Sequence, residues 1–227
     1  MNSAAGIAVR LCQEIYDPVT PGVFDSVIRI NETVCGLKRE GKLLRIVLQG
    51  TSNIAGWEAD FDALPVEHPV LGHIHSGFYK NLVALWGAIS PALSLLLPTD
   101  QIEVSGHSKG AGEGVILAGM LHERGYHVVC FLFACPNAGY ADFRTYMSAV
   151  PGTSFRNAPP DAEWFGDPVP NVPPFPYVPT YPHVLINVPP AGFERMLNVE
   201  WHLINLYQTA FADIAETVVA TVVAAKG

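Results

Sequence analysis

The stretch "QIEVSGHSKGAGEGVIL", residues 101–117, joins an apolar, strand-like run to a helical pattern through a serine that has a glycine two residues away on each side. Gly106-His107-Ser108-Lys109-Gly110 is thus a G-x-S-x-G pentapeptide, and a strand before it with a helix after it is the setting of a nucleophile elbow. The glycines are required because the turn is so sharp that a Cβ at either position would collide with the neighbouring chain. The serine Oγ then projects at the carboxyl edge of a sheet, at a helix N-terminus whose unpaired N–H groups and dipole favour a developing oxyanion. The same letters could also be a Gly/Ser-rich turn that merely caps a helix, so the surrounding chain has to decide.

Outward from the elbow, short apolar runs alternate with helical stretches: "LLRIVLQG" (43–50), "GFYKNLVALWGAISPALSLLL" (77–97), "QIEVSG", "GEGVILAGMLHERG" and "HVVCFLFAC". This alternation predicts a parallel sheet wrapped by helices, an α/β fold. Pro91 would break a helix interior but suits a first helical position behind a Ser90 cap, so residues 77–97 read as two helices or one kinked helix. Prolines crowd residues 151–190, which predicts a loop-rich region; beyond it "HVLINVP" reads as a last strand and residues 200–225 as mostly helix.

At 227 residues, 49% hydrophobic and 15% charged, the chain can bury one substantial core and reads as a single domain over 1–227. A net charge of −8 without a Lys/Arg cluster argues against nucleic acid or an anionic membrane as partner. The N-terminus lacks a basic start and is interrupted by Arg10 and Gln13, which reads as a first helix rather than a signal peptide. Asp213 and Glu216 leave the C-terminal apolar run short of the ~20 residues that span a bilayer. Cys12, Cys35, Cys130 and Cys135 fit buried thiols rather than a disulfide framework. These features favour a cytoplasmic protein, although a mature exported chain with a new initiator methionine would look the same.

A serine hydroxyl needs a base to take its proton and a carboxylate to orient that base. Both follow Ser108 in the order Ser, Asp, His that the elbow's fold class uses. Asp167 in "WFGDPVPNVPPF" is the candidate acid, with Asp161 and Glu163 as competitors; His202 in "VEWHLINLY" and His183 in "TYPHVLINVP" are candidate bases.

These residues, with further motifs in order, resemble the fungal-type class 3 lipases of the α/β-hydrolase superfamily, a family that includes feruloyl esterases. The resemblance runs from about residue 40 to about residue 210. It is carried by "VLQGTSNIAGWEADFDALPV" (strand, oxyanion loop and lid region), "HIHSGFY" (an H-x-G-F segment), "VSGHSKGAG" (the elbow), "FACPNAGYADF" and the acid loop "GDPVPNVPP". It implies an α/β-hydrolase fold with a mostly parallel central sheet and a triad of Ser108, Asp167 and His202. The acid maps onto the Asp of D-x-V-P, and the family's catalytic histidine comes late, in a leucine and aromatic context that Leu203 and Tyr207 supply. It also implies an oxyanion hole from the backbone N–H groups of Lys109 and Thr51, each well-aimed donor worth about 3 kcal/mol in the transition state.

The activity so implied is carboxylic ester hydrolysis through an acyl-enzyme, with a small-molecule or lipid ester as substrate and no metal or organic cofactor. A feruloyl or other aryl esterase, an acyltransferase, and a silent binding module on the same fold are the alternatives. Ile54 and Trp57 in "NIAGW" could form a small apolar lid over the acyl site, hinged at Gly50 and Gly56. His73 and His75, two apart, share one face of a strand, the layout of a metal-ligand pair. No third ligand stands at a tell-tale spacing, so His75 is read as hydrogen-bonding within the fold, and His107 as packed beneath the nucleophile. Lys109 stands where the family usually has leucine. A cation there opposes the helix dipole at a cost of ~0.3–1 kcal/mol if exposed. Glu113 lies four residues on, and the two are expected to pair.

Overall fold

A computed structural model of the chain describes residues 3–16, 21–51, 64–160, 165–190 and 201–211. In chain order the elements are α1 (Ala4–Glu14), β1 (Ser26–Ile30), β2 (Thr33–Glu40), β3 (Leu43–Leu48), β4 (Pro65–His68), β5 (Gly72–His75) and α2 (Ser76–Leu93). They continue with β6 (Gln101–His107), α3 (Lys109–Glu123), β7 (His127–Phe133), α4 (Ala141–Met147), β8 (Gly152–Asn157) and β9 (His183–Ile186). Seven strands make the main sheet in the order β1-β2-β3-β6-β7-β8-β9. From β3 onward every neighbouring pair is parallel, whereas β1–β2 and β2–β3, at one edge, are antiparallel. The parallel α/β arrangement expected from the alternating sequence is therefore present.

Successive residues of each inner strand point to opposite faces, which divides the core in two. Leu48, Val104 and Leu132 join a cluster with Phe78, Leu82, Leu85, Ile89 and Leu93, whose spacings of three and four residues put them on one stripe of α2. Val47, Phe133 and Phe155 join the other cluster, beneath Ala8, Val9, Leu11, Cys12 and Ile15 of the first helix, with Tyr207. Each large side chain so buried contributes about 1.5–3 kcal/mol relative to exposure. Buried Glu103 of β6 lies opposite Arg45 of β3 in the register and accepts a hydrogen bond from its guanidinium, so the charge at the sheet's middle is paired.

Of the two readings of residues 77–97, two helices or one kinked helix, the structure has the single helix. This helix, α2, runs through Pro91, and its N-cap is His75, not a second cap at Ser90. Pro91 falls in the last turn, where only one intrahelical bond is forfeited. Ser90 Oγ donates to Trp86 O at 2.7 Å and Ser94 N–H to Ser90 O at 2.9 Å, so the helix closes around the proline. The β1–β2 hairpin, the small β4–β5 hairpin and α4 had no signature in the sequence reading. All four cysteines are free and buried, as read. The last strand falls where expected, and residues 204–211 are helical; the remainder of the expected C-terminal helix lies outside the described residues. Among the described residues no helix is long and apolar enough to cross a membrane.

Candidate active site

The central strand β6 delivers Ser108 to the carboxyl edge of the sheet. Ser108 has φ 60° and ψ −132°, a left-handed conformation that a non-glycine residue adopts only at a cost of order 1–3 kcal/mol. The surroundings hold it there: its N–H donates to Phe133 O at 2.9 Å, and its carbonyl accepts from Ala111 N–H at 2.9 Å and Gly112 N–H at 3.2 Å. A Cβ on Gly106 would run into the Gly110 carbonyl, and one on Gly110 into the backbone of Leu48 and Gln49. The elbow geometry inferred from the pentapeptide is thus present, and both glycines are needed for close backbone approach.

Lys109 opens α3, so its N–H has no intrahelical acceptor. The chain leaving β3 passes against the elbow, since a Cβ on Gly50 would meet the His107 carbonyl and the Ser108 Cβ. Half-buried Thr51 follows directly, which brings it to the same sheet edge as Lys109. Ile54, Trp57 and the hinge position Gly56 lie outside the described residues, as do Asp161 and Glu163.

Asp167 and His202, 35 residues apart in sequence, meet in the interior with both side chains fully buried. His202 Nδ1 lies 2.9 and 3.0 Å from the two carboxylate oxygens. A carboxylate accepts only, so Nδ1 carries the proton and Nε2 is the basic nitrogen. The carboxylate also accepts from Val169 N–H at 3.0 Å and from the Tyr207 hydroxyl. Burial pushes the Asp167 carboxyl up, but the imidazole, the Tyr207 hydroxyl and the Val169 N–H outweigh it and hold the group below the usual carboxylate range. Burial and then the neighbouring Asp167 push the Tyr207 phenol well above its ordinary value, so it remains a donor. Ser108 Oγ and His202 Nε2 are both buried, and neither has a hydrogen-bond partner among the described residues. A nucleophile and a base left unpaired at one sheet edge have room to engage each other or a substrate.

The second half of the site is a scaffold the sequence did not disclose. His107 Nε2 lies 2.8 Å from the His202 carbonyl, so it must be the donor there, and Nδ1 accepts from the Tyr16 hydroxyl at 3.0 Å. Burial, reinforced by His202, pushes His107 down to about 3, so it is neutral and its tautomer is set by its two partners. The Gly50 N–H bonds to Tyr16 in turn, which ties the β3 exit loop, the elbow and His202 to one chain of hydrogen bonds. Asn157 does the same for the acid: its carbonyl accepts from Asp167 N–H at 2.9 Å, its N–H donates to Tyr207 Oη at 3.0 Å, and its amide reaches Val188 and Trp201. Tyr16 and Asn157 escaped the sequence reading because no local pattern marks a long-range side-chain bond; Tyr207 was noted only as an aromatic near His202.

The remaining candidates lie apart from this arrangement. His183 Nδ1 bonds to Ser154 Oγ at 3.1 Å rather than to Asp167, and burial together with Arg156 pushes it down to about 4. His73 is half exposed and bonded to Asp142 at 2.6 Å, whereas His75 is buried and its Nδ1 accepts from Phe78 N–H at 3.3 Å. The two histidines thus have separate structural duties. Lys109 Nζ lies 3.3 Å from Glu113 Oε1, the pairing expected from their spacing, but both side chains are buried rather than on an exposed helix face.

The model of the family described as lipase (class 3) matches residues 45–177, more than half of the chain. No curated protein matches the sequence. Among solved structures, the Rhizomucor miehei triacylglyceride lipase superposes with a TM-score of 0.65 at 23% identity, covering 76% of this chain and 75% of that one. Lipase II from Rhizopus niveus gives 0.70 at 20% identity, covering 82% and 80%. A triacylglycerol lipase described as having a serine protease triad as its catalytic centre gives 0.63 at 23% identity, covering 75% and 73%. At these identities the structural likeness establishes the common fold, and the family match over residues 45–177 supplies the rest: the chain belongs to the class 3 lipase family of serine ester hydrolases.

Proposed function

We propose that the chain hydrolyses carboxylic esters through a covalent acyl-enzyme formed on Ser108. His202 Nε2 takes the proton of Ser108 Oγ as that oxygen attacks the ester carbonyl; Asp167 orients the imidazole and stabilises the imidazolium. The tetrahedral oxyanion is held by the backbone N–H groups of Lys109 and Thr51 until His202 returns the proton to the departing alcohol. Water, activated by the same imidazole, then releases the acid. The observation that carries this reading is the buried Asp167–His202 pair, whose free nitrogen lies at the edge where a strained elbow presents Ser108. The substrates in this reading are soluble short and medium acyl esters as well as triacylglycerols, the class that the similar structures are named for.

The test is p-nitrophenyl butyrate turnover by wild type and Ser108→Ala. Turnover should fall to background in the variant while its circular dichroism is unchanged, and a variant retaining near-wild-type turnover would end the proposal. A series of acyl lengths followed by emulsified tributyrin then separates esterase from lipase, since a rate jump above substrate solubility marks the latter. Added alcohol distinguishes hydrolysis from acyl transfer by the product formed.

A further inference from the structure

The Lys109 side chain points away from the reaction and into the protein. Its ammonium donates to the carbonyl of Glu32, in the β1–β2 turn, at 2.9 Å and pairs with Glu113 one helical turn along α3. The Glu113 carboxylate is fully buried and accepts from Asn81 of α2 at 2.8 Å and from Thr33 of β2 at 3.2 and 3.3 Å. Four elements are therefore tied to the first turn of the elbow helix: the hairpin turn, β2, α2 and α3 itself. Burial pushes the Glu113 carboxyl up, while Lys109, Asn81 and Thr33 oppose the shift, so the charge depends on those partners.

Such an ion pair is a poor device for stability, because apolar residues of similar volume often do as well or better in its place. Its location matters more. The clasp grips the turn that leads into β2, and Gln49 N–H, next to Gly50, donates to Val34 O of that strand at 2.9 Å. Gly110 in turn lies against the carbonyl of Leu48 without room for a methyl group. The chain that leads from β3 to Thr51 and the helix that starts at Lys109 are thus held to each other from both sides.

We infer that Lys109 and Glu113 act through their side chains as positioning residues, setting the spacing between the Lys109 and Thr51 N–H groups and hence the alignment of the oxyanion hole. The inference rests on the acyl-enzyme reading above. A hole held slightly out of line loses part of what each donor contributes, and removing one outright costs about 10²–10³ in kcat.

The experiment compares wild type, Lys109→Leu/Glu113→Leu and the isosteric Glu113→Gln on an alkyl ester and on its thionoester, whose sulfur is a poor hydrogen-bond acceptor. In the double variant kcat for the oxygen ester should drop about tenfold, a fraction of the loss for a deleted donor, with KM unchanged. The oxygen-to-thiono ratio of kcat/KM should drop by a similar factor, and Glu113→Gln should move both in the same direction. A loss of folded protein would lower both esters equally and leave the ratio unchanged. If the folded double variant, or Glu113→Gln where the double variant does not fold, keeps the wild-type ratio and kcat, the clasp is packing and the inference is wrong. Absence of Ser108-dependent turnover in wild type would instead overturn the acyl-enzyme reading and this inference with it.

Discussion

Replacing Tyr207 with phenylalanine removes one oxygen that serves two buried partners. Asp167 loses a hydrogen bond to an ionised group, worth about 1.5–3 kcal/mol net, and the Asn157 N–H loses its acceptor, an unsatisfied buried donor costing about 1–3 kcal/mol. The losses share an atom and are partly relieved by relaxation, so a total of about 2–4 kcal/mol is expected. At ~2–4 °C per kcal/mol for a chain of this size, Tm should fall by roughly 5–15 °C. The pH dependence makes the test specific. In wild type the Asp167 carboxyl titrates below its ordinary value, so its stabilisation is complete above the unfolded pKa of ~3.9 and is lost as pH falls through the lower folded value. Without the Tyr207 hydroxyl the folded value lies closer to the unfolded one, and the variant has less to lose in acid. The Tm gap between wild type and Tyr207→Phe, measured by differential scanning fluorimetry from pH 3 to 8, should therefore be widest near neutrality and narrow below about pH 4. Ester turnover should fall in kcat by about tenfold with KM unchanged, because the imidazole is held by one restraint fewer when it becomes charged. A pH-independent gap, or a Tm within about 1 °C of wild type, would refute the network reasoning.

Tyr16→Phe leaves both the Gly50 N–H and His107 Nδ1 without a partner; kcat/KM for p-nitrophenyl butyrate should decline several-fold while far-ultraviolet circular dichroism stays the same, and undiminished turnover would show that the chain of bonds does not hold the loop. Gly110→Ala places a methyl group against the Leu48 backbone; it should cost at least ~3 kcal/mol, in the range of severe core strain, and be read as loss of soluble, active protein in expression trials. His73 is raised by its bond to Asp142, so the pair stabilises the fold below the unfolded histidine value of ~6.5 and fades as pH rises through the folded value. The Tm difference between wild type and Asp142→Asn should accordingly be larger at pH 6 than at pH 9, and the reverse order would contradict it.

Local pattern carried a large part of this protein in its sequence. Alternation of short apolar runs with helical stretches specified the parallel α/β sheet, because burial of strands on both faces demands such runs. The glycines around Ser108 specified the elbow, because only they permit its backbone contacts, and four-residue spacing placed Lys109 beside Glu113. Resemblance of ordered motifs selected Asp167 and His202 from among nearby alternatives, and these are the two the fold brings together. What needed the tertiary structure was every bond between residues far apart in the chain. The Pro91 helix stayed whole because its proline falls in a last turn, and helix ends are set by context as much as by propensity. Tyr16, Asn157 and the hydroxyl of Tyr207 acquired their duties across 10 to 91 residues, and the charge of Lys109, costly on an exposed first turn, was buried against Glu113 and the Glu32 carbonyl. Periodicity reports which face of an element is buried; which polar atom it meets there is decided only when separate elements pack.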